Sequence, residues 1–82
     1  MHTIMIDGSV YDTPRDMHLA LKRMLSLPDY YGLNADALND CLSEFAECPS
    51  LWFRPDGPEE VSGALRLIAR VFRDNGADTK EF

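Results

Sequence analysis

The sequence predicts an α/β fold in which a small parallel sheet is packed with helices. Three features point there. Apolar runs of strand length stand at Thr3–Ile6 and Leu51–Phe53, segments of helical period lie between and after them, and turn or helix-breaking residues mark the junctions. Strands that alternate with helices are joined by crossovers, and crossovers make neighbouring strands parallel. At 82 residues and 45% hydrophobic, the chain suits one domain with one core over residues 1–82, and it contains no repeat or linker.

The first strand, Thr3-Ile4-Met5-Ile6, ends at the turn dipeptide Asp7-Gly8. Thr13-Pro14-Arg15-Asp16 then reads as a helix start. Thr13 caps, Pro14 fills the first helical position, and Asp16 reaches back to complete a capping box. Met17, Ala20, Leu21 and Met24 form the core face, and Leu27-Pro28 stops the helix near Ser26 because the residue before proline is pushed from helical angles. Asp29–Leu33 is a loop in which Gly32 can take positive φ. Asn34 caps a second helix whose Leu38, Cys41, Leu42 and Phe45 make one buried stripe, and Pro49 closes it. After Leu51–Phe53 and the turn-rich Arg54–Pro58, residues Glu59–Asn75 form a third helix, with Val61, Leu65, Ile68 and Phe72 inward and Gly76 as its C-terminal cap. Gly63 is a point at which that helix can divide. Asp78–Phe82 reads equally as an edge strand or a tail.

Fourteen acids against eight bases give a net charge of −6, which argues against a surface for nucleic acid or anionic membrane. The charge is unevenly placed. From Met24 to Phe53 there are five acids (Asp29, Asp36, Asp40, Glu44, Glu47) and no Lys or Arg; elsewhere nine acids face eight bases. Asp36, Asp40 and Glu44 recur every four residues, so they share one side of the second helix about 5–6 Å apart, and Glu47 continues that side. Each such like-charge pair costs a helix about 0.2–0.5 kcal/mol. The helix dipole welcomes Asp36 in the first turn but does nothing for Asp40 and mildly opposes Glu44. A row held against these costs is suited to meeting cations. Tyr30 and Tyr31, in the loop beside it, supply the aromatic surface typical of a binding hot spot.

Catalytic and metal readings are weaker. Carboxylates on one helix face do not face each other across a cleft, as acid–base pairs and glycosidase pairs do. No Ser-His-Asp pattern, phosphate-cradling glycine loop or metal-ligand spacing is present, so neither enzyme activity nor a cofactor is expected. His2 is expected at the chain end and His18 on the solvent side of the first helix. Cys41 and Cys48, if on one helix, are about 10 Å apart along it, too far for a disulfide. Two free thiols, no export signal and no membrane-length apolar run predict a cytoplasmic protein.

The stretch Leu27-Pro28-Asp29-Tyr30-Tyr31-Gly32-Leu33-Asn34-Ala35-Asp36-Ala37-Leu38-Asn39-Asp40-Cys41-Leu42 closely resembles the barstar family, intracellular inhibitors of ribonucleases. Weaker agreement covers most of the chain, through the Ile4–Gly8 turn, Leu51–Arg54 and Val71-Phe72-Arg73. The resemblance implies a three-stranded parallel sheet, no enzymatic activity and a one-to-one complex that plugs a ribonuclease active site. Asp40 matches the aspartate that enters the nuclease phosphate site, Asp36 a second contacting aspartate, and Tyr30 the tyrosine that packs on the catalytic histidine. Gly32 and Asn34 match loop contacts, and Asp74 an acidic residue of the last helix that assists steering. Electrostatic steering and strong charge coupling are known properties of this family and are implied by the resemblance alone. Asn39 and Phe45, within or beside the same face, stand where the best-known member has Trp, which alters part of the apolar contact. An alternative keeps the scaffold as an interaction module or antitoxin for another basic protein.

Overall fold

The computed structural model describes residues 3–82, so His2 lies outside the described residues. In β1 (Thr3–Asp7), Ile4 and Ile6 turn toward the core while Met5, on the opposite face, stays exposed. Asp7 ends the strand by accepting the Ser9 N–H at 2.9 Å and the Ser9 hydroxyl at 2.7 Å, which starts a single 3-10 turn at Gly8–Val10.

Helix α1 (Pro14–Met24) begins with the predicted cap and proline. Thr13 Oγ1 accepts the Asp16 N–H at 3.2 Å, and Pro14 sits at the helix start. Its end differs from the expectation that Leu27-Pro28 stops it. Ser26 takes a left-handed φ of 52°, its N–H reaches the Arg23 carbonyl at 3.4 Å, and the Leu27 N–H reaches that of Lys22 at 2.9 Å. This double closure satisfies the last carbonyls before Pro28 is reached.

Helix α2 (Ala35–Ser43) is capped by Asn34, whose Oδ1 accepts the Ala37 N–H at 2.8 Å. It stops well before Pro49. The Glu44 and Phe45 N–H groups turn to the Cys41 and Leu42 carbonyls at 3.2 and 3.1 Å, tightening the last turn, and the Ser43 hydroxyl donates to the Asp40 carbonyl at 2.8 Å. Glu47 is therefore off the helix, and Cys41 and Cys48 do not share one.

Strand β2 (Ser50–Arg54) is central in the order β1-β2-β3, and both pairings are parallel. Ile4 lies beside Leu51 and Ile6 beside Phe53, so the inward side chains of both strands form one apolar face. Asp78–Phe82 does complete the sheet. Strand β3 (Thr79–Glu81) pairs with β2, the Leu51 N–H donates to the Asp78 carbonyl and the Phe82 N–H to the Phe53 carbonyl, each at 2.9 Å. The outer face carries Met5, Trp52 and Lys80 in register, with the Lys80 ammonium 4.8 Å from the Trp52 ring centre.

The turn after β2 is crowded against the one after β1. A Cβ on Gly8 would collide with the Asp56 carbonyl, and one on Gly57, which stands at φ 95°, would collide with the Gly8 carbonyl. Helix α3 (Glu59–Asp74) is one unbroken element, so Gly63 does not divide it. Gly76 at φ 85° closes it, with the Gly76 and Ala77 N–H groups on the Arg73 and Phe72 carbonyls at 3.0 Å. Val61, Leu65, Ile68 and Phe72 on α3 are wholly buried, and α3 packs on α1, α2, β2 and β3. Met17 and Leu21 of α1 and Leu38 and Leu42 of α2 fill the same core. Among the described residues no helix is long and apolar enough to cross a membrane.

Gly63 is exposed, mid-helix, and has open space where a side chain would stand. Gly63→Ala should therefore stabilise the fold by roughly 0.5–1 kcal/mol, seen as a higher urea midpoint at unchanged slope. An unchanged or lower midpoint would contradict this account of α3.

Candidate protein-binding face

The site is built on the loop between α1 and α2 and on the outward side of α2. Its two tyrosines part company. Tyr31 turns inward and is 5% exposed, whereas Tyr30 stands out at 79%. Tyr31 is fixed by His18 of α1, whose Nδ1 lies 2.5 Å from the Tyr31 hydroxyl in one hydrogen bond, with the rings 5.9 Å apart. His18 is thus not on the solvent side of its helix, as the sequence suggested; it is 5% exposed because the loop containing Leu27 and Tyr31 folds over it. Burial holds its imidazole below ordinary basicity, and burial first, with the Cys41 thiol second, pushes the Tyr31 phenol upward. Both stay uncharged at neutral pH.

Gly32 does not take the positive φ expected of it; Leu33 does, at 56°. The demand on Gly32 is steric, since a Cβ there would lie 3.3 Å from the Ala37 Cβ. Its carbonyl accepts from Asn34 Nδ2 at 3.1 Å while Asn34 Oδ1 caps α2, so one asparagine joins loop to helix.

Asp36, Asn39 and Asp40 are exposed on α2, and Glu44 is exposed at its C-terminal cap. Among the described residues Asp36, Asp40, Glu44 and Glu47 make no ion pair, whereas Asp29 is met by Lys22 of α1 at 3.4 Å. The cation missing from the acidic stretch is supplied there by tertiary contact, to an acid outside the row. The Cys41 thiol is pushed upward by burial first and then by the Glu44 and Asp40 carboxylates, so it stays protonated on the inward side.

Asn75 Nδ2 donates to Asn39 Oδ1 at 2.8 Å, drawing the end of α3, with exposed Asp74, against the middle of α2. Sequence reasoning missed both His18 and Asn75, because each acts through a residue distant in the chain. Phe45 and Glu47 sit elsewhere, lining a shallow cleft of about 340 Å³ with Thr3, Ile4, Met24 and Pro49. That cleft offers one carboxylate and no second titratable group, too little for acid–base chemistry. Among the described residues no cluster of His, Cys, Asp and Glu could hold a metal ion.

Fold and site together define a small α/β module that presents carboxylates from a helix beside an exposed tyrosine. The family model for barstar, the barnase inhibitor, matches residues 1–79, and the chain belongs to the barstar family. That is a family of inhibitors and not of enzymes. The chain is also 45% identical over 49 residues to "Putative ribonuclease inhibitor YrdF" of Bacillus subtilis (strain 168), a match covering 60% of this chain and 54% of the relative. The match therefore spans about half of that relative's length.

The buried imidazole has a consequence for stability. Unfolding returns His18 to its ordinary value near 6.5, so below that pH the unfolded chain takes up the proton first. The contribution is complete above about pH 6.5 and is lost as pH falls toward the lowered folded-state value. Unfolding free energies from urea titrations should decline between pH 7 and 5.5, by up to about 1.4 kcal/mol per pH unit, and His18→Gln should flatten this limb. An equally steep decline in the variant would assign the effect elsewhere.

Proposed function

We propose that this protein inhibits a ribonuclease, protecting the cell that makes it, by inserting the carboxylates of α2 into the enzyme's cationic active site in a one-to-one complex. The carrying observation is the exposed Asp36–Asp40–Glu44 row, without ion pairs among the described residues, beside an outward Tyr30. Its place in a chain of the barstar family supports the choice of partner. A ribonuclease binds RNA through a preformed cationic hollow. Carboxylates on a helix match that charge and offer no scissile bond. Asp40, in mid-helix, is assigned the deepest position, with Asp36 beside it. Tyr30 covers the catalytic face as an aromatic anchor, Gly32 and Asn34 offer loop contacts, and Glu44, Asn39 and Asp74 are assigned to the periphery, while Phe45, half-buried in the neighbouring cleft, is left off the face. Complementary charge of this kind acts first on encounter.

Mixing the protein with ribonucleases of its own cell and following RNA cleavage tests this directly; cleavage undiminished at excess inhibitor would refute it. Asp40→Ala should raise Kd roughly thirtyfold or more, as truncating one partner of a buried charge pair does, and Glu44→Ala less than tenfold. Equal losses would contradict the ranking. The association rate should fall steeply between 0.1 and 1 M salt, where the screening length shrinks from about 10 to about 3 Å. If a lysate yields a basic protein other than a ribonuclease, lost when Asp36 and Asp40 are both replaced by Ala, the face is right and the assigned partner wrong.

A further inference from the structure

Asn39 flanks the acidic row of α2 on the side that meets α3, and its orientation is set from α3. Asn75 makes two bonds with the same nitrogen, to the Val71 carbonyl at 2.9 Å and to Asn39 Oδ1 at 2.8 Å. A carbonyl only accepts, so the Asn75 atom facing Val71 must be the amide nitrogen. Its second hydrogen then requires an oxygen from Asn39, which turns Asn39 Nδ2 away from α3. Asn39 is exposed, and among the described residues its NH2 group donates to nothing. The row of acceptors is thus flanked, on its α3 side, by one donor of fixed direction.

We propose that Asn75 is a positioning residue of the binding face: it clamps Asn39 Oδ1 so that the Asn39 NH2 group donates to a carbonyl or carboxylate at the rim of the ribonuclease's cationic hollow. The inference rests on the ribonuclease reading and adds a specificity element to it. Charge alone selects any cationic hollow, whereas the oriented donor selects one with an acceptor beside it. A partner presenting a further cation at that point is disfavoured.

Asn39→Asp separates the alternatives because it keeps the acceptor that Asn75 needs and replaces the outward donor with negative charge. Kd is measured against a ribonuclease that the wild type inhibits, for Asn39→Asp, Asn39→Ala, Asn75→Ala and the double alanine variant, with thermal melts confirming that each is folded. Asn39→Asp is expected to bind about tenfold or more weakly than wild type and more weakly than Asn39→Ala, since an acceptor then faces an acceptor. Asn75→Ala is expected to weaken binding severalfold, and to have no further effect once Asn39 is alanine. Asn39→Asp binding as tightly as Asn39→Ala, or tighter, overturns the proposal while leaving ribonuclease inhibition intact. Additive losses for the two asparagines overturn the clamp. Failure of the wild type to inhibit any ribonuclease sinks both readings, and so differs from either result.

Discussion

Burial of one face of α3 is the constraint on which the rest depends. Val61, Leu65, Ile68 and Phe72 recur at helical spacing and are sealed from water, and around them close both other helices and two strands. Each such side chain is worth about 1.5–3 kcal/mol against exposure. Helix α2 lays Leu38, Cys41 and Leu42 into the same core, which fixes its rotation and turns Asp36, Asp40 and Glu44 outward. The direction of the acidic row is thus a consequence of core packing.

That packing also makes the row tolerable. Two like-charge neighbours along α2 cost together about 0.4–1 kcal/mol, less than the burial of one of its leucines. The fold leaves that cost unrelieved where a partner's cations would relieve it: Lys22 meets Asp29, and no cation among the described residues meets the row. Pre-organisation comes from neutral groups. The His18–Tyr31 hydrogen bond, the Asn34 cap and the Asn75–Asn39 bridge hold loop, helix and helix end together without placing a cation on the acidic surface.

Local features of the chain proved legible where their physics is local. Thr13 and Asn34 cap because their side chains reach N–H groups three residues on, and Gly76 closes α3 because left-handed backbone suits glycine. The end of α2 was misplaced, and that of α1 placed but ascribed to the wrong residue, because the signals read, Pro49 and Pro28, are only later obstacles to helix. Ser26 and the tightened turn at Glu44 intervene first, through backbone geometry that no side-chain pattern announces. Gly63 carried a helix-breaking signal that the buried faces on either side of it outweigh. Asp78–Phe82, polar and short, pairs because β2 offers it an open edge and α3 delivers it there.

For the binding face the division is sharper. The sequence by itself determined its chemistry: which acids lie on α2, that they share one side, that tyrosines and a capping asparagine precede them, and the family to which the string from Leu27 to Leu42 is similar. These follow from the period of a helix and the identity of side chains. Only the tertiary structure decided which tyrosine faces outward, that Asp29 is paired while Asp36 and Asp40 have no ion pair among the described residues, that His18 is buried, and that Asn75 bonds Asn39. Each of these joins residues from different elements, and a one-dimensional period carries no information about what packs against it.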